Sequence, residues 1–214
     1  MSELEKYRPL SVKEFYNKIH HQYYEPSSHQ ISCRVKSVHE TILQQLRGSI
    51  EGRILDVGCA SQEPPINTVG CDLSIEGLRL SRELYPDSSS VCADINYLPF
   101  KRESFSAILA GLLLDHVENL ELAFFSLRGV AAAQGRLIVT VFDSERRPQN
   151  KYGGDRLQYR SIDGEKYSVP SYGWTRQELI ASSAKAGWVF TSDAVHSTGD
   201  NDYLLRQLDF EAEE

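Results

Sequence analysis

The chain has 214 residues, 41% hydrophobic and 25% charged, which suits one globular domain with a single sizeable core. A net charge of −7 argues against nucleic acid as a partner, because a phosphate backbone is usually met by a basic face. No stretch nears the roughly 20 apolar residues of a membrane span, and the opening Met-Ser-Glu-Leu-Glu-Lys lacks the basic start and apolar run of a secretory signal, so the expectation is a cytoplasmic protein with no membrane partner.

The first ten residues read as frayed. Ser11-Val-Lys-Glu14 fits a capping box, in which hydroxyl and carboxylate each satisfy a free N–H of the first turn. The helix it opens is predicted to run to about Tyr24 and to stop at Pro26. A second helix is predicted over about 31–47, where Ile31, Val35, Val38, Ile42 and Leu46 recur at spacings of three and four, and Gly48 ends it. The pattern then changes to short apolar runs. Strands are predicted over 53–58, 68–72, 89–94, 105–110 and 135–142, with helices between them from Ser74 to about Leu84 and over 118–133. Such alternation predicts a parallel sheet covered on both faces. Residues 143–174 break the rhythm: they are polar and Tyr-rich and contain Asp163-Gly164, a hairpin turn signal. Thr175-Arg-Gln-Glu178 is a second capping box, opening a helix to about Ala186, and Gly187 stops it. Strands over 188–196 and 203–210, joined by a turn, close the chain as a hairpin, which makes the last strand antiparallel to its neighbour.

Three aspartates end successive predicted strands: Asp56, Asp72 and Asp94. In an open parallel sheet, ligands sit outside the C-terminal strand ends, where strand order reverses. A carboxylate at the second strand end can accept ribose hydroxyls, and Gly58 lets backbone approach a ligand with no Cβ in the way. The alternative for each aspartate is a turn or a helix cap. After Gly58 comes Cys59-Ala60-Ser61 rather than a Gly-x-Gly run, and Gln62-Glu-Pro-Pro65 makes no more than a turn. The first crossover is therefore short, without the helix N-terminus that would help to bind an anion. The N–H groups of Ala60 and Ser61 are the substitute donors.

Taken in order, these strings resemble the class I S-adenosylmethionine-dependent methyltransferases, small-molecule type. Ile54-Leu-Asp-Val-Gly-Cys59 is similar to the family's first motif and Val69-Gly-Cys-Asp-Leu-Ser74 to its second. Asp94 with Leu98-Pro-Phe100 is similar to the third, and Leu113-Leu-Asp-His116-Val-Glu-Asn119 to the segment after the fourth strand. The resemblance implies a Rossmann-like, doubly wound α/β fold with a mostly parallel seven-stranded sheet and an antiparallel last strand. It divides the chain into N-terminal lid helices (1–52) and a cofactor-binding α/β domain (53–214) with 143–174 as a substrate-side insert. It implies S-adenosyl-L-methionine as cofactor, held by Tyr23, Asp56, Gly58, Ala60, Asp72, Leu73, Asp94, Ile95 and Ala110. In this picture Phe15-Tyr-Asn-Lys-Ile-His-His-Gln-Tyr23 is the lid, and a Tyr23 ring would attract the sulfonium cation; the other reading is that its tyrosines only pack.

Methyl transfer is an in-line displacement in which the protein mainly aligns the reactants, and a base is needed only when the acceptor must lose a proton. His116 and, on the lid, His20 are the candidates, with structural packing the other reading of His116. The insert carries Arg156, Arg160 and Tyr172 among further basic and aromatic residues. This suits a small-molecule acceptor bearing an acidic group, since Arg forks recognise carboxylate or phosphate; a solvated loop or a dimer contact is the other reading. No metal is expected, because the histidines show no ligand spacing. The cysteines Cys33, Cys59, Cys71 and Cys92 form no Cys-x-x-Cys pair and read as reduced core thiols. The expected assembly is a monomer or homodimer. The rival function is a methyltransferase-like domain of little or no activity with a binding or regulatory role.

Overall fold

A computed structural model describes residues 7–23, 41–42, 51–59, 67–143, 157–162, 164–197 and 204–213. Its centre is a seven-stranded sheet in the order β4-β3-β2-β5-β6-β10-β9. The strands are β2 (Ile54–Val57), β3 (Thr68–Asp72), β4 (Ser89–Cys92), β5 (Phe105–Gly111), β6 (Ala131–Phe142), β9 (Trp188–Ser197) and β10 (Leu204–Ala212). The pairs from β4 to β6 are parallel, and β10 runs antiparallel to both β6 and β9. Strand order reverses between β2 and β5, as the doubly wound fold implied by the resemblance requires.

The apolar runs are buried on both faces with a period of two. Leu55, Val57, Ile108, Ala110, Leu137 and Val139 join one core. Their neighbours Ile54, Ala107, Leu109 and Ile138 join another with Ile42. The first core is covered by α3 (Leu120–Val130) and α4 (Arg176–Lys185). The helix α2 (Ile75–Leu84) follows β3 and is capped by Ser74, whose hydroxyl accepts from the Gly77 N–H at 3.2 Å. Both expected capping boxes form, at Ser11/Glu14 and Thr175/Glu178.

Several elements differ from expectation. The helix predicted to 133 ends at Val130, and Ala131 begins β6 by pairing with Phe105. Strand pairing overrides the helix preference of Ala131-Ala-Ala. Gln134 takes φ 56° and Gly135 packs where a Cβ would lie 2.8 Å from the Ala132 carbonyl, so the helix cannot continue through this corner. The first residues are not all frayed: Arg8–Pro9 form β1, parallel to β8 (Glu165–Pro170), which pairs antiparallel with β7 (Leu157–Ile162). The register Ile162↔Glu165 leaves two residues in the turn, the length that the Asp163-Gly164 signal called for. The insert thus contributes a hairpin to a second, three-stranded sheet, on which the helix α1 (Val12–Tyr23) packs. The third predicted strand stops at Cys92, which is exposed rather than a core thiol because β4 is an edge strand. Apart from Thr41 and Ile42, the helix predicted over 31–47 lies outside the described residues, as does the crossover at 60–66.

Cys59 and Cys71 are buried, and burial foremost pushes the Cys71 thiol up to about 12 and the Cys59 thiol higher still. Both are inert at neutral pH. The Cys59 thiol fills the space over Gly70, where a Cβ would sit 2.8 Å from Sγ. Gly70→Ala is therefore expected to destabilise the fold by roughly 1–3 kcal/mol. Cys59→Ala in the same chain should recover most of that loss in a urea-denaturation cycle, and purely additive effects would refute the contact.

Candidate functional site

The C-terminal ends of β2, β3, β4 and β5 gather the strand-end residues on one edge of the sheet, at the reversal of strand order. Asp56 is the most enclosed of the three aspartates, at 4% exposure. Burial, and then the neighbouring Asp72 charge, raise its pKa to about 7. Asp72 and Asp94 are only half-buried and serve turns. Asp72 Oδ1 accepts from the Ser74 N–H at 2.8 Å. Asp94 Oδ1 accepts from the Asn96 N–H and side-chain amide, both at 2.9 Å, and caps a 3₁₀ turn over Ile95–Tyr97. The turn reading of these two aspartates is thus realised, and it fixes the orientation of each carboxylate at the sheet edge.

Gly58 has φ +76°, a conformation that favours glycine, and its N–H donates to the Cys71 carbonyl at 2.7 Å. A Cβ there would meet the Leu113 side chain at 3.2 Å. The space that glycine opens is used by the protein's own loop after β5. Leu73 is half-buried, whereas Ile95 and Ala110 are buried among the core side chains of the first face. Ala60 lies outside the described residues.

The loop after β5 is the best-connected part of the site. Leu112 takes φ 54°, and its N–H donates to both the Thr140 carbonyl (2.8 Å) and Thr140 Oγ1 (3.2 Å). The 3₁₀ turn Leu114–His116 follows. Pro170 O lies 2.6 Å from His116 Nδ1, and Tyr16 Oη lies 2.8 Å from Nε2. A carbonyl only accepts, so Nδ1 carries the proton and, in the neutral ring, Nε2 accepts from the Tyr16 hydroxyl. Around it the Asp115 carbonyl accepts from the Tyr172 N–H at 2.7 Å, and the Val117 carbonyl from Trp174 Nε1 at 3.0 Å. Tyr172 stacks on Trp174 at 5.5 Å.

One residue beyond Tyr16, Asn17 Oδ1 accepts from Ser74 Oγ at 2.6 Å. The helix α1 is therefore tied both to the end of β3 and to the end of β5, with β2 between them. Tied at these two points, it bridges the sheet edge across the end of β2 as a roof. Sequence reasoning left packing as one of two readings of the lid tyrosines and gave Asn17 no role; neither Tyr16 nor Asn17 carries a local signal, since each acts on a partner far along the chain. His20 and Tyr23 lie on α1, and their side chains fall outside the described residues. Arg160 is on β7, opposite Tyr167, its side chain likewise undescribed, and Arg156 lies beyond the described residues. Among the described residues no three His, Cys, Asp or Glu side chains converge as a metal set, and no helix is long and apolar enough to cross a membrane.

Asp56 supplies a pH test. An acid whose folded pKa lies above its ordinary value of 3.8 leaves the folded state holding more protons than the unfolded one. Its presence therefore lowers stability as pH rises from about 4 to about 7. Asp56→Asn is expected to be the more stable protein above pH 7, by roughly 4 kcal/mol, with the difference vanishing near pH 4. Urea midpoints across that range read it, and a difference independent of pH would contradict it.

Residues 55–139 match the family model described as a methyltransferase domain. A demethylmenaquinone methyltransferase from Streptomyces griseus is 29% identical over 97 residues, 42% of either chain. The chain spans less than half the length of the curated relatives it matches. The crystal structure of the PH0226 protein from Pyrococcus horikoshii superposes with a TM-score of 0.70 at 15% identity, over 94% of this chain and 99% of that one. The DhpI–SAH complex superposes with a TM-score of 0.69 at 15% identity, over 94% of each chain. Residues 55–139 are thus similar to a methyltransferase domain, and the chain shares its fold with these solved structures.

Proposed function

We propose that this chain transfers the methyl group of S-adenosylmethionine to a hydroxyl or amine of a small acceptor. The observation that carries the reading is the end of β2, where a buried carboxyl, Asp56, stands between two strand ends that are both tied to α1. A buried acid with a raised pKa suits a cationic ligand, whose charge offsets the cost of ionising it. The residues present therefore fit the cofactor, which supplies an activated methyl group when bound. Asp56 would face its positive charge, and Asp72, held by the Ser74 N–H, would accept from ribose hydroxyls. Asp94 and Ile95 would border its base, and Gly58, Leu73 and Ala110 would line the edge between. Tyr23 would complete the roof.

His116 fits a positioning role better than that of a base, because its accepting nitrogen is already taken by the Tyr16 hydroxyl. It holds the loop, the roof and the hairpin in register, and that alignment is the main contribution asked of the protein in a methyl transfer. Calorimetric titration with S-adenosylhomocysteine is expected to show one site in the micromolar range, weakened about tenfold by Asp56→Asn if the lost charge is worth roughly 1.4 kcal/mol. Absence of heat at millimolar ligand would overturn the reading.

The acceptor is proposed to bear a carboxylate or phosphate, received by Arg156 and Arg160 from the hairpin side, with Tyr172 against its body. Replacing both arginines with alanine should raise the KM of an acid-bearing acceptor at least about tenfold and leave the affinity for S-adenosylhomocysteine unchanged. An unchanged KM would remove the acidic group from the proposal.

A further inference from the structure

The roof is built from two stretches that the chain keeps far apart. Arg8 and Pro9 pair in parallel with Tyr167 and Ser168, and the Leu10 N–H donates to the Ser168 carbonyl at 2.9 Å. Leu10, Phe15 and Ile19 share one buried cluster with Ile162, Tyr167 and Val169. That cluster is separate from the two cores that cover the faces of the large sheet. The helix α1 and the β7–β8 hairpin therefore have a core and a backbone ladder of their own.

The seam between this body and the strand ends is of a different kind. On the helix side it is made by side-chain hydrogen bonds, Tyr16 to His116 and Ser74 to Asn17. On the hairpin side, His116 Nδ1 donates to the carbonyl of Pro170, the last residue of β8, and just beyond it the Tyr172 N–H donates to the Asp115 carbonyl at 2.7 Å. The same imidazole therefore holds both halves, one with each nitrogen. Units joined by a shared apolar core and a ladder open together, whereas a polar seam yields one bond at a time.

We propose that α1 and the β7–β8 hairpin are one cap, latched through His116 and Ser74, that opens and closes over the strand ends as a unit. The roof above the cofactor edge and the wall on the acceptor side cannot then close separately, so cofactor binding itself builds the acceptor wall. The part concerning cofactor rests on the function proposed above; the unity of the cap does not.

Hydrogen exchange on the full chain, followed by mass spectrometry, separates the two. Tyr16→Phe removes one latch hydrogen bond and leaves the ring. It is expected to speed exchange in α1 and in β8 by the same factor, about fivefold for one such bond, with β5 and β6 unchanged. Asn17→Ala should act alike on both segments. Saturating S-adenosylhomocysteine should slow both by a common factor. A change confined to α1 or to β8, or no change in either variant, overturns the single cap. If S-adenosylhomocysteine does not bind at all, the cofactor reading fails, while the two variants still decide whether the cap is one body.

Discussion

One imidazole sets the geometry of this site. His116 stands where three chain segments meet, and its two nitrogens have different work. The Pro170 carbonyl demands a donor at Nδ1, which leaves Nε2 to accept from Tyr16. No other side chain of this shape offers a donor and an acceptor on opposite edges of one rigid ring. The ring is delivered by a loop that begins with a left-handed Leu112, a conformation that costs a non-glycine residue about 1 kcal/mol. Two acceptors from Thr140 on the Leu112 N–H offset that cost. Position along β5 thereby becomes position of the hairpin and of the helix above it.

The strand-end aspartates divide by their surroundings, although they looked equivalent as letters. Asp72 and Asp94 each spend an oxygen on a local turn and keep contact with solvent. Asp56 lies inside, beside another carboxylate, and resists ionisation. The sheet edge therefore offers two oriented acceptors and one reserve of latent negative charge. Such a reserve favours a ligand that brings its own positive charge over one that does not.

What could be read from the residues was what short-range physics decides. The alternating apolar strands, both capping boxes, the Ser74 cap, the two-residue hairpin turn and the antiparallel end of the sheet all follow from patterns of a few residues. What escaped depends on partners far along the chain. Nothing in Arg8-Pro9 announces a strand, because β8 supplies its pairing. Ala131-Ala-Ala reads as helix until Phe105 claims it. Leu113, from another strand end, packs where a Cβ on Gly58 would lie, a contact that no local pattern announces. Tyr16 and Asn17 become part of the site only because His116 and Ser74 face them across the fold. The strand ends were legible, and the hydrogen bonds that tie α1 to them were not.

The pairing of Pro9 with Ser168 also bears on how the protein is made. The helix α1 belongs to a core whose other half, at Ile162, Tyr167 and Val169, is synthesised only after the parallel strands of the sheet. A contact of such long range brings little reward until nearly everything between is in place. Until then α1 carries Phe15 and Ile19 with no cluster to bury them, in a chain whose central strands can already pair. Assembly of the cap is then a late event that follows the sheet, and the nascent helix is a stretch for chaperones to shield.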